Sequence, residues 1–157
     1  MVTSVKDAIL KILQEVKDPE IPVISVIELG IVRAVTGTAQ AVEITLTPTY
    51  SGCPAMDVIP VMIRQAVIEA GYPNVVVHST LSPAWTTDWI TTEGMEKLKA
   101  FGIAPPDVNR SLLPDHVPCP FCASNETELI SHFGSTPCKA AYRCTTCLEP
   151  FDYFKCH

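Results

Sequence analysis

Four cysteines in this chain are spaced to hold one metal ion. Cys119-Pro120-Phe121-Cys122 and Cys144-Thr145-Thr146-Cys147 are two C-x-x-C knuckles with twenty-one residues between them. Zinc takes four thiolates tetrahedrally, and each short knuckle sets two sulfurs on one side of the ion. A redox role would need a single C-x-x-C in a thioredoxin-like setting, and neither pair has one. A rubredoxin-type iron centre would use the same four ligands, so the ligand set is better defined than the metal. The expectation is a structural zinc ion on Cys119, Cys122, Cys144 and Cys147.

Cys53 is a different case. It follows Ser51-Gly52 and precedes Pro54, a residue favoured in the first turn of a helix. A thiol at a helix start is stabilised as thiolate by unpaired N–H groups and the helix dipole, so an accessible sulfur with a depressed pKa is expected. The competing reading is a small residue packed under the loop. Asp18 and Glu20 form a carboxylate pair whose simplest role is turn chemistry. Cys138 and Cys156 lie outside the knuckles. They read as buried apolar residues or as a second ligand pair with His157 or His132. His78 and His116 stand alone and read as structural or solvated. Trp85 and Trp89 flank a polar loop, as a lid on the core or a contact surface.

The elements that must position these groups follow from periodicity. Val5, Ala8, Ile9, Ile12, Leu13 and Val16 make one helical face over 4–16, with Ser4 as its cap. Asp18-Pro19-Glu20-Ile21-Pro22 stops that helix. Strands are expected over 31–35 and 41–47; in the second, Val42, Ile44 and Leu46 alternate with Glu43, Thr45 and Thr47. A helix over 55–70 follows, with Pro60 in its first turn or at a kink and Gly71 as its stop. Val75-Val76-Val77 begins a third strand, and Thr92 can cap a last helix carrying Met95, Leu98 and Phe101. Pro105, Pro106, Pro114 and Pro118 suggest an extended linker. Strands are expected at 129–133, 139–143 and 150–154 in the ribbon. The fold class is therefore α+β: a small α/β domain at 1–104 with a three-stranded sheet and flanking helices, a linker at 105–116, and an all-β zinc ribbon at 117–157. A ribbon of that size cannot bury enough surface to fold alone, so the metal is expected to supply the missing stability.

With 157 residues, 47% hydrophobic and 18% charged, the chain can bury a core. Its net charge of −6 counts against a nucleic-acid-binding ribbon. No basic run precedes an apolar stretch at the start, and no apolar run reaches membrane-spanning length. The expectation is a cytoplasmic protein, without membrane or nucleic-acid partners, whose seven cysteines serve as ligands or thiols.

Asp18-Pro19-Glu20-Ile21-Pro22, Glu28-Leu29-Gly30-Ile31-Val32 and Leu46-Thr47-Pro48-Thr49-Tyr50-Ser51-Gly52-Cys53-Pro54 resemble the MIP-type metal–sulfur assembly domains, which include the bacterial SUF-associated T proteins. That resemblance implies that Asp18, Glu20 and Cys53 are the cofactor-binding positions. Pro83-Ala84-Trp85-Thr86-Thr87-Asp88-Trp89-Ile90, Gly102-Ile103-Ala104-Pro105-Pro106, Phe133-Gly134-Ser135-Thr136-Pro137-Cys138-Lys139 and Phe151-Asp152-Tyr153-Phe154-Lys155-Cys156 are similar to the phenylacetate-degradation D family (PaaD). What this implies is an accessory protein of the phenylacetyl-CoA epoxidase system, without independent catalytic activity. Its partners would be the epoxidase and its reductase, or iron–sulfur assembly proteins. Its cofactors would be structural zinc and a transient iron or iron–sulfur cluster. A non-catalytic structural subunit of the oxygenase is the alternative. One cysteine cannot hold a four-ligand cluster, so cluster carriage would need a homodimer, a partner or further ligands. A catalytic nucleophile at Cys53 would need an activating base, and no histidine is placed for it.

Overall fold

A computed structural model of the chain describes residues 4–107 and 113–155. The chain divides into two compact units, Met1–Trp85 with Trp89–Thr91, and Thr86–Asp88 with Thr92–His157. The division falls earlier than the expected boundary at 104.

The first unit begins with α1 (Val5–Gln14), whose N-cap Ser4 accepts the Asp7 N–H at 3.1 Å as the sequence suggests. Ile9 and Leu13 are its fully buried residues. Strand β1 (Val32–Thr38) pairs antiparallel with β2 (Ala41–Leu46), and β2 pairs in parallel with β3 (Val75–Ser79). The parallel pair needs a crossover, and α2 (Ile59–Glu69) provides it. A 3-10 helix, Pro54–Asp57, precedes α2. The single expected helix over 55–70 is therefore broken at Val58, with Pro60 in the first turn of the α-helical part. Gly71, at φ +99°, ends it. Val42, Ile44 and Leu46 of β2 are buried, together with Ile59, Ile63 and Val67 of α2.

Two further features complete this unit. Ser25 and Glu28 cap each other: the Glu28 carboxylate accepts the Ser25 N–H at 2.8 Å and Ser25 Oγ accepts the Glu28 N–H at 3.1 Å. The turn they close ends at Gly30, where φ is +76° and an added Cβ would lie 2.3 Å from the Trp89 carbonyl oxygen. Trp85 is buried and donates its indole N–H to the Leu29 carbonyl at 3.0 Å, so it is a lid on the core rather than a contact surface. Trp89 carries the Arg33 guanidinium 3.5 Å above its ring.

The second unit holds α3 (Thr92–Ala100) and a four-stranded sheet in the order β4-β7-β6-β5. Its strands are β4 (Ile103–Ala104), β5 (Thr127–Ser131), β6 (Lys139–Cys144) and β7 (Pro150–Phe154). The helix starts at Thr92 itself, so the cap expected there is displaced. The short strand β4 runs parallel to β7, an addition that the sequence does not announce. Tyr142 stacks on Phe151 at 6.0 Å and meets Tyr153 edge-on at 5.7 Å. Ala104, Val117, Cys119 and Cys144 share that core. The proline-rich stretch is tied into this unit: Tyr142 donates its hydroxyl to the Pro114 carbonyl at 2.7 Å, and the Asp107 N–H donates to Tyr153 Oη at 3.0 Å.

Candidate functional site

In the second unit, each knuckle is a tight loop held by its own backbone. The Cys119 N–H donates to the Ser124 carbonyl at 2.9 Å, and the Ala123 N–H to the Cys119 carbonyl at 2.9 Å. The Cys144 N–H donates to the Glu149 carbonyl at 3.0 Å. The residue after the second cysteine of each knuckle takes a left-handed conformation, Ala123 at φ 62° and Leu148 at φ 67°. Both carry a steric cost that glycine would not, and the repeated geometry turns both cysteine pairs the same way.

The result is one cluster of four sulfurs. Cys119 and Cys147 lie 3.7 Å apart, Cys122 and Cys144 3.6 Å, and all four within 4.8 Å of one another. A tetrahedron with metal–sulfur bonds of about 2.3 Å has edges of about 3.8 Å, so the set fits a four-thiolate ion. Cys119 and Cys144 are buried, Cys147 half-buried and Cys122 exposed. The sulfurs also differ in acidity. The Cys147 N–H, with help from that of Thr146 and from neighbouring thiols, brings Cys144 down to about 6 against the effect of burial. The Glu149 N–H lowers Cys147, but burial and the other three sulfurs outweigh it and push it up to about 12. Binding a cation displaces whatever protons the sulfurs carry in the free chain.

In the first unit, Cys53 sits beyond the carboxyl end of β2 as the N-cap of the 3-10 helix, half-buried. Its thiol is raised above the ordinary thiol value, against expectation. Burial is the largest cause; hydrogen bonds at Ala55 and Thr49 lower it, and the charges of Glu20 and Asp18 raise it again. The physical reason is local. The helix that begins here is one 3-10 turn, not the α-helix whose dipole the sequence argument assumes, and two carboxylates oppose a further negative charge. Alkylation of Cys53 should therefore keep accelerating to higher pH than for an ordinary exposed thiol, because only the thiolate reacts. A rate that levels off near neutrality would contradict this.

The structure brings Asp18 and Glu20 into the electrostatic reach of Cys53. Asp18 also serves the turn, accepting the N–H groups of Glu20 at 2.8 Å and Ile21 at 2.9 Å. Among the described residues, the four-cysteine cluster is the one group of three or more such side chains close enough to share an ion, so these three are not a preformed chelate. Cys138 is buried beside Thr136 Oγ1 at 3.0 Å, while Cys156 and His157 lie outside the described residues. His116 Nδ1 lies 3.3 Å from the Thr127 carbonyl, and His78 pairs with Glu43 at 3.7 Å on the surface.

The sequence reading misses Thr47. It is fully buried on the segment leading to Cys53, and its hydroxyl has no hydrogen-bond partner among the described residues. Thr47→Val keeps the shape and removes the unsatisfied group, so it should stabilise the first unit by about 1 kcal/mol in chemical unfolding. A destabilised variant would show that the hydroxyl has a partner after all.

Comparison with known proteins gives two family matches. Residues 6–77 match the model of an iron–sulfur cluster assembly protein family, and residues 104–155 match the PaaD zinc beta ribbon domain. The chain is 51% identical, over 92% of its length and 89% of the relative's, to an Escherichia coli K12 protein named as a D-subunit of 1,2-phenylacetyl-CoA epoxidase. It is 36% identical, over 59% of its length and 90% of the relative's, to an Fe-S protein maturation auxiliary factor of Porphyromonas gingivalis. A conserved hypothetical protein of Thermotoga maritima superposes with a TM-score of 0.52 at 30% identity, covering 62% of this chain and 98% of that one. A domain of unknown function from Bacillus anthracis shares the fold at a TM-score of 0.55 and 23% identity, covering 59% of this chain and 90% of its own. No helix among the described residues is long and apolar enough to cross a membrane. With an assembly-type domain, a PaaD ribbon and an epoxidase-system relative matched over nearly its whole length, the chain belongs to the PaaD family.

Proposed function

We propose that this protein is an accessory factor of a phenylacetyl-CoA epoxidase system that matures or delivers an iron or iron–sulfur cofactor, with Cys53 as the transient ligand. The observation that carries this reading is the electrostatic setting of Cys53. A half-buried thiol, disfavoured as a free anion first by burial and then by the charges of Glu20 and Asp18, would gain from a bound cation, as would the two carboxylates. The same field works against a persulfide anion and against a catalytic thiolate. The likeness of the first unit to an Fe-S protein maturation factor supports the same role. Since the three side chains are not a preformed chelate, the remaining ligands would come from a client, an assembly protein or a second copy of the chain. At the ribbon, Cys119, Cys122, Cys144 and Cys147 would hold zinc, which would fix the loops around it.

A stable component of the oxygenase is the second reading, favoured by the naming of the Escherichia coli relative as part of the epoxidase itself. Cys53→Ala separates the two. Maturation predicts several-fold lower iron and sulfide in the epoxidase or its reductase isolated from cells carrying the variant, with activity restored by chemical reconstitution. Full occupancy with lost activity would favour the structural reading, and normal activity would remove Cys53 from the mechanism.

A further inference from the structure

The four sulfurs of the ribbon are unequal in access. Cys119 is 1% exposed and Cys144 fully buried, whereas Cys122 is open to solvent. Coordination deprotonates all four, so a bound metal makes each a thiolate whatever its acidity in the free chain. Nucleophilicity then depends on access and on hydrogen bonds to sulfur. Cys144 receives N–H groups from both Cys147 and Thr146, while Cys122 receives one, from Ser124. The most available thiolate is therefore Cys122, and the sulfur paired with it at 3.6 Å is Cys144.

We propose that Cys122 is a modification site for peroxides, through which oxidation joins Cys122 to Cys144 and releases the metal. The proposal rests on the zinc reading of the ribbon. The Cys122 thiolate attacks one peroxide oxygen, the O–O bond breaks, and the departing hydroxide takes a proton from solvent to form water. This leaves a sulfenic acid on Cys122. The Cys144 thiolate then attacks that sulfur and expels hydroxide, which a second solvent proton converts to water. Two thiolates have given up two electrons to the peroxide. The ion is left with Cys119 and Cys147, too few ligands to retain it, and the unit loses the metal that supports its fold. Cys53 is the expected competitor for a peroxide, and its half-buried, protonated thiol makes it the slower one.

The test is hydrogen peroxide titration of the full-length, metal-loaded protein. Zinc release is followed with a chromogenic chelator, and cysteine modification by peptide mapping. The expected result is one zinc released per Cys122–Cys144 linkage, with Cys53 modified later. Cys122→His supplies an imidazole ligand that peroxide does not convert to a disulfide, and should slow zinc release at least tenfold. Cys53→Ala should leave the release rate unchanged. Metal retained through oxidation of the thiols, or first modification at Cys53 or Cys119, would overturn the proposal alone. If Cys122→His holds zinc and loses it as fast as the parent, the entry point is elsewhere and the proposal fails. Protein purified with no metal on the four sulfurs would overturn the zinc reading and the proposal together.

Discussion

Cys144→Ser is expected to empty the metal site and unfold the second unit. Cys144 is fully buried within the core built by Tyr142, Phe151 and Tyr153, so the change removes a ligand and leaves a hydroxyl in apolar surroundings. Structural zinc contributes about 10–16 kcal/mol of apparent binding energy in small zinc modules, as much as an entire domain's net stability of about 5–15 kcal/mol. No local repacking offsets a loss of that size. Metal content by mass spectrometry and the near-ultraviolet signal of the aromatic core would both fall. The same linkage fixes a pH dependence. Binding displaces protons, so affinity falls as pH falls, and the ion should leave on acidification as the sulfurs take protons back. A Cys144→Ser protein that keeps one tightly bound ion and a native core would refute the four-thiolate site.

Gly30→Ala should strongly destabilise the first unit. The left-handed backbone at φ +76° costs a side-chain-bearing residue about 1–2 kcal/mol. The new Cβ would also meet the Trp89 carbonyl oxygen and Trp89 Cβ, at 2.3 and 2.7 Å, and the former is backbone that cannot rotate away. Displacing it would disturb the 2.9 Å bond from the Thr91 N–H to the Glu28 carbonyl nearby. A loss of roughly 3 kcal/mol or more is expected, adding the conformational cost to an overpacking cost of about 1–3 kcal/mol. Chemical unfolding monitored by tryptophan fluorescence would measure it, and a shift under about 1 kcal/mol would mean that the loop moves freely.

Much of this molecule is readable without its structure, for definite reasons. The helical face at Val5, Ile9 and Leu13 and the alternation of Val42, Ile44 and Leu46 are periodic signals that depend on nothing distant. The knuckles are readable because metal coordination constrains sequence spacing itself. What escapes depends on distant partners. Strand β4 is two residues long and exists because β7 pairs with it, so no local pattern reveals it. The prolines around 105–116 resemble a free tether because proline lacks a donor, but a proline carbonyl still accepts, as Pro114 does from Tyr142. The sequence neighbours of Cys53 point to a low pKa. Burial outweighs the lowering by those neighbours at Ala55 and Thr49, and the charges of Glu20 and Asp18, more than thirty residues earlier in the chain, add a smaller push upward.

The strand order β4-β7-β6-β5 constrains how the protein can be made. Strand β7 lies between β4 and β6, yet it is the last of the four to leave the ribosome. Until it has emerged, β4 has no partner strand and β6 can pair only with β5. The four clustered cysteines also precede β7, so the strand that joins β4 to β6 follows the whole candidate ligand set in the order of synthesis. The first unit is complete by then. Translation thus delivers Cys53 with a finished first unit before the strand that closes the second unit's sheet.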